Sequence, residues 1–128
     1  MSEKSKIDII VVDDDPSELE YQEAILCERN ISFEMFSDPQ IALKEIAKKL
    51  PKLVMMDFHM PQMTGQELII KISEHKLFHH STIYLLTSKF IDDDERTRLR
   101  SLGFMDIFNK PIDQDRYLSI VDKVIPSK

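Results

Sequence analysis

The stretch KLVMMDFHMPQMTG, residues 52–65, decides the fold. Leu53, Val54, Met55 and Met56 form an apolar run with no polar break. Such a run fits a strand buried on both faces, as in a parallel sheet. Asp57 follows directly. Pro61 then ends regular pairing, because proline has no backbone N–H to donate. A carboxylate therefore stands where a central strand ends and a loop begins. In open α/β sheets, ligands bind at that carboxyl edge.

Working outward, the chain alternates strand and helix. Ile7 to Val12 is β-branched and apolar, and ends in Asp13, Asp14, Asp15 and Pro16. An Asp before a proline is a helix start, with Asp15 as the cap. A helix is expected over Pro16 to Arg29, with Gln22 and Glu23 interrupting its apolar face. Ile31 to Phe36 alternates like a strand near the sheet edge. Ser37-Asp38-Pro39 repeats the start signal, and Ala42, Leu43, Ile46, Ala47 and Leu50 form the apolar stripe of a second helix that Pro51 stops. A third helix begins at Thr64-Gly65 and carries Leu68, Ile69 and Ile72. Thr82 to Leu86 reads as the fourth strand, the charged stretch Asp92 to Arg100 as a solvated helix capped near Gly103, and Phe104 to Phe108 as the fifth strand. Ile112 to Val124 is the last helix. Five such alternations imply a parallel sheet with helices on both faces.

Bulk properties narrow the function. With 128 residues the chain suits one domain, expected over residues 1–128 with a folded core of about 6–126. Its formal charge of -6 argues against direct nucleic-acid binding. A single cysteine, Cys27, excludes a disulfide framework and points to a cytoplasmic setting. Cys27 is expected to be a buried or half-buried apolar residue. No apolar run is long enough for a membrane span.

The strand ends collect the chemistry. They bring together Asp13, Asp14 and Asp15, Asp57, Thr87 and Ser88, and Lys110. Uncompensated carboxylates at one spot repel and raise one another's pKa. A hard divalent cation resolves this, and Mg²⁺ takes oxygen ligands while keeping waters. Lys110 adds a positive point charge suited to phosphate. An ionised carboxylate is a nucleophile toward phosphorus. The metal, the lysine and a hydroxyl or N–H at Thr87-Ser88 would neutralise the three equatorial oxygens of a transferring phosphoryl group. The constellation reads as a phosphoryl acceptor centred on Asp57.

VDDDP at residues 12–16, LVMMDFHMPQMTG at 53–65, LLTS at 85–88 and KP at 110–111 stand in the order and spacing of a known family. The chain resembles the receiver domains of two-component response regulators. The resemblance implies a flavodoxin-like fold with strand order 2-1-3-4-5 and five helices. It implies that Asp57 accepts the phosphoryl group from a sensor histidine kinase or a His-phosphotransfer protein. Asp13, Asp14, Asp57 and the backbone carbonyl of His59 would hold Mg²⁺. Thr87 would bond the phosphoryl group, Lys110 would pair with it, and Lys110-Pro111 would be cis. His59 and Lys89 occupy positions that tune phosphoryl lifetime in the family. One position departs: the usual Tyr or Phe three residues before the lysine is Ile107, and Phe108 should face the other side of the strand.

Other features read more simply. His75, His79 and His80 are taken as exposed loop histidines, because no helical i,i+4 pair or cysteine accompanies them. The methionines around Asp57 are packing residues. Two competing functions are a phosphorylation-independent pseudo-receiver acting as an interaction module, and a phosphohydrolase of haloacid-dehalogenase type. The latter needs a second carboxylate two residues after the nucleophile, where this chain has His59.

Overall fold

The computed structural model describes residues 6–75 and 80–126. Its elements are β1 (Ile9–Val12), α1 (Pro16–Leu26), β2 (Phe33–Phe36), α2 (Pro39–Lys49), β3 (Leu53–Asp57), α3 (Gly65–Glu74), β4 (Thr82–Thr87), α4 (Asp93–Leu102), β5 (Asp106–Asn109) and α5 (Gln114–Val124). All pairings are parallel, and the order is β2-β1-β3-β4-β5. This is the expected flavodoxin-like arrangement, with every strand ending on the same edge.

The sheet separates two apolar layers. Val54 and Met56 face one way and pack with Ile46, Ile69 and Leu99 of α2, α3 and α4. Leu53 and Met55 face the other way and pack with Ile25, Tyr117 and Val121 of α1 and α5. Every residue of β3 is buried, which is why its sequence shows no alternation. Fully burying each such side chain is worth roughly 1.5–3 kcal/mol. β2, at the sheet edge, is half-buried throughout.

Helix starts follow the sequence signals. Asp15, Asp38, Asp92 and Asp113 each accept a backbone N–H of the helix they begin. Thr64 and Glu67 form a reciprocal capping box on α3. Such caps contribute about 1 kcal/mol each, and they fix where each strand-end loop turns into a helix.

Several details differ from the sequence reading: β1, β2 and α5 each begin two residues later than expected, and β4 runs on through Thr87. α1 ends at Leu26 rather than Arg29, and Cys27, its C-cap, is exposed. Gln22 does not break the buried face; it is 2% exposed, and its side-chain carbonyl accepts the Tyr117 hydroxyl at 2.6 Å. Ala47 is exposed, so the buried stripe of α2 runs through Ala42 and Ile46. β5 begins at Asp106 rather than Phe104, which is buried ahead of the strand. No helix among the described residues is long and apolar enough to cross a membrane.

Candidate functional site

Three strand ends build the site. β1 delivers Asp13, whose N–H donates to the Phe36 carbonyl and whose Oδ1 accepts the Asp15 N–H at 3.0 Å. Asp15 is thereby committed to the turn, and its own carboxylate caps α1 through the Ser17 N–H. β3 delivers Asp57, in register with Leu86 of β4. β5 delivers Lys110, whose N–H donates to the Thr87 carbonyl at 2.8 Å. The Lys110-Pro111 bond is cis, as the resemblance implied.

These ends converge. Lys110 Nζ lies 2.7 Å from Asp13 Oδ2 and 3.0 Å from Asp57 Oδ1. Asp13, Asp14 and Asp57 each place a carboxylate oxygen within 4.8 Å of the others. Asp13 and Asp57 are buried, and Asp14 is the more exposed of the three. A cleft of about 610 Å³ opens above them, lined by Asp14, Asp15, Glu18, Asp57, Ser88 and Lys110.

Burial raises the Asp57 carboxyl above the ordinary value; the Lys110 hydrogen bond opposes this, and the charges of Asp13 and Asp14 add to it. For Lys110, burial works to lower the pKa, but the hydrogen bonds to Asp13 and Asp57 outweigh it and leave the ammonium above its usual value. Lys110 therefore stays charged, one cation facing three carboxyl groups. Three carboxylates at this spacing suit a hard, oxygen-seeking divalent cation.

Thr87 occupies a different position from the cleft. It is fully buried, and its Oγ1 accepts the Lys89 N–H at 3.1 Å. It lines a neighbouring hollow with Phe58, His59, Phe90 and Ile91. Ser88, rather than Thr87, borders the acidic cleft. The exposed His59 side chain lies outside the acidic cluster, its ring 4.8 Å from that of Phe58. Ile107 is buried against the α2–α3–α4 layer, and Phe108 faces the other way, stacked 5.7 Å from Tyr84 and covered by Arg116 at 4.7 Å. The expected two-sided split of Ile107 and Phe108 is observed. His75 is the C-cap of α3, His80 follows the connection, and His79 lies outside the described residues.

Three supporting residues escaped the sequence reading. Gly65 appeared there only as a helix start, yet a Cβ on it would meet the Asp57 carbonyl oxygen at 2.8 Å and Leu85 Cδ1 at 2.9 Å. Its N–H also donates to the Phe58 carbonyl at 2.8 Å, so the loop after Asp57 folds back tightly only because that position is glycine. The Tyr21 hydroxyl donates to the Ile112 carbonyl at 2.6 Å, tying α1 to the loop after Lys110. The Asn109 amide donates to the Lys89 carbonyl at 2.6 Å. The glycine at the end of the Asp57 loop was the one signal available; nothing in sequence pairs Tyr21 or Asn109 with its target.

A parallel five-stranded sheet with an acidic cluster and a lysine at its carboxyl edge defines a class, and comparison places the chain within it. The response regulator receiver domain model matches residues 9–122, and the chain belongs to that family. An uncharacterised 14.6 kDa protein of Leptolyngbya boryana is 31% identical over 96% of this chain and 93% of its own length. Two further curated relatives, at 27% and 28% identity, are matched over only 16% and 27% of their lengths, as one part of longer chains. Among solved structures, the Vibrio cholerae chemotaxis protein CheY4 aligns with a TM-score of 0.83 at 21% identity, over 94% of this chain and 100% of that one. A chain from the co-crystal of the Saccharomyces cerevisiae phosphotransfer protein Ypd1 with the receiver domain of Ssk1 aligns at 0.82 and 17% identity, over 96% and 91%. Likeness at these identities concerns the fold.

Proposed function

We propose that the chain acts as one receiver unit that accepts a phosphoryl group on Asp57 and relays the event to a partner protein. The observation that carries this is the Lys110 ammonium seated between Asp13 and Asp57 at the sheet edge. In the transfer, an Asp57 carboxylate oxygen attacks the phosphorus of a phosphohistidine. An O–P bond forms and the N–P bond breaks. The imidazole leaves with the electron pair and takes a proton from solvent. Asp13, Asp14, Asp57 and the His59 carbonyl would hold Mg²⁺, which when bound supplies positive charge to the phosphoryl oxygens. Lys110 exchanges its contact with the Asp57 carboxylate for one with the phosphoryl group. Thr87 turns its hydroxyl toward the same group.

The donor is a sensor histidine kinase or a His-phosphotransfer protein in the cytoplasm. A chain of the Ypd1–Ssk1 co-crystal sharing this fold supports that class of partner. The output surface is the face of α4, β5 and α5, and the downstream partner is a protein rather than nucleic acid. Incubation with acetyl phosphate and Mg²⁺ should add one phosphoryl group per chain by intact mass. Asp57→Asn should take none. An unlabelled wild-type chain would favour the pseudo-receiver instead.

A further inference from the structure

Thr87 and Phe90 share one short loop, and the loop is held at the residue beside Phe90. The Thr87 hydroxyl accepts the Lys89 N–H at 3.1 Å, and the Asn109 amide donates to the Lys89 carbonyl at 2.6 Å. Both backbone polar groups of Lys89 are gripped. Phe90 comes next and is 86% exposed, more than any other large apolar side chain among the described residues. It stands at the rim of a hollow of about 210 Å³ that Phe58, Thr87 and Ile91 also line. A phenyl ring left in water beside an apolar hollow is poorly placed, since burial of its surface is favourable. The ring stays out while both backbone groups of its neighbour Lys89 are held.

That grip depends on the orientation of one hydroxyl. A threonine hydroxyl offers one donor and two acceptor positions. With Thr87 accepting from Lys89, the loop is fixed. If the hydroxyl turns toward Asp57, the Lys89 N–H is released to water and only the Asn109 contact remains. The loop can then pivot on the Lys89 carbonyl. Ile107 offers no alternative moving group, because it is 1% exposed and packed in the core.

We infer that Phe90 is the moving part of the switch: turning of Thr87 toward a phosphoryl group on Asp57 releases Lys89, and the Phe90 ring folds into the hollow lined by Phe58, Thr87 and Ile91. The inference rests on the phosphoacceptor role of Asp57. It reshapes the surface at the start of α4, because the N-cap Asp92 lies two residues beyond Phe90.

The chain contains no tryptophan, so Phe90→Trp provides a single fluorescent reporter at this site. Beryllofluoride with Mg²⁺ serves as the phosphoryl mimic, and labelling from acetyl phosphate is measured on the same preparation. The expected result is a blue-shifted emission and a several-fold drop in acrylamide quenching. Phe90→Trp/Thr87→Val, with no hydroxyl to hold Lys89, should be blue-shifted and shielded before the mimic is added and show no further change, and Phe90→Trp/Thr87→Ser should regain the response to beryllofluoride. Labelling with unchanged emission overturns the Phe90 inference and leaves the phosphoacceptor assignment standing. A beryllofluoride-induced change in the valine variant, or an unshifted emission from it before the mimic is added, overturns the coupling through Thr87. Absence of labelling in both wild type and Phe90→Trp overturns the phosphoacceptor assignment, and the Phe90 inference with it.

Discussion

Lys110 Nζ lies 3.0 Å from Asp57 Oδ1 and is also bonded to Asp13. The lysine side chain is only 10% exposed, so the pair is shielded from water and weakly screened. Lys110→Met would leave Asp13 and Asp57 facing each other without their cation. A loss of about 2–3 kcal/mol is expected, because stranding buried charge costs more than the pair contributes. Urea unfolding of the two proteins in chelator would measure it, and an unchanged midpoint would count against the arrangement.

Asp57 itself should weaken the fold at neutral pH. Its carboxyl is raised above the ordinary value, chiefly by burial. A raised carboxyl binds its proton more tightly when folded. Its stabilising contribution is therefore present at low pH and lost as pH rises through the folded-state value. Asp57→Asn removes the charge and keeps the shape. It should melt a few degrees higher than wild type at pH 7 without metal, equivalent to about 1 kcal/mol. The gap should close as the pH falls and the wild-type carboxyl protonates. A lower melting point for the variant at pH 7 would contradict the sign.

Divalent cation should act on the same charges. Mg²⁺ is expected to raise the wild-type melting temperature in proportion to the logarithm of its concentration once the site is near saturation. EDTA should reverse the rise. Asp13→Asn should abolish most of it, since Asp13 belongs to the three-carboxylate cluster. Equal Mg²⁺ effects on wild type and Asp13→Asn would show that the cation binds elsewhere.

Gly65→Ala tests how Asp57 is positioned. The added Cβ would sit 2.8 Å from the Asp57 carbonyl oxygen, a backbone atom that cannot swing aside. Overpacking of this kind costs about 1–3 kcal/mol. Because the strain falls on the Asp57 backbone, labelling should slow more than the global destabilisation explains. Full labelling rate in a folded Gly65→Ala protein would mean that the loop adapts without moving the carboxylate.

The buried Tyr117–Gln22 pair offers a control away from the site. Tyr117→Phe strands the Gln22 amide and should cost about 1–2 kcal/mol. Gln22→Leu/Tyr117→Phe should recover much of that loss, leaving a coupling energy in a double-mutant cycle. Labelling should be unaffected throughout.

Much of this was legible because it is local. β3 declares itself through an unbroken apolar run, and its Asp57 needs only the strand to be placed. Aspartate–proline starts fixed α1 and α2 for the same reason. Gln22 was misread because its partner is Tyr117 on another helix, and no helical periodicity anticipates a hydroxyl arriving from so far along the chain. Cys27 was misjudged because it keeps helical backbone geometry but falls one step round from the buried Ile25 and Leu26, on the exposed side. The convergence of Asp13, Asp57 and Lys110 followed from topology, since parallel strands share one carboxyl edge. The direct contacts of Lys110 with both carboxylates, the bond of the Thr87 hydroxyl to the Lys89 N–H and the tight approach of Gly65 are distances in the folded chain, which spacing in sequence does not carry.

The most direct measurement is the location of the phosphoryl group itself. The chain is incubated with acetyl phosphate and Mg²⁺, reduced with borohydride to mark the acyl phosphate, digested and sequenced by mass spectrometry. The mark should fall on Asp57 alone, require Mg²⁺ and vanish in Asp57→Asn. A mark on another carboxylate, or on no residue at all, would contradict the assignment of Asp57 as the phosphoryl acceptor.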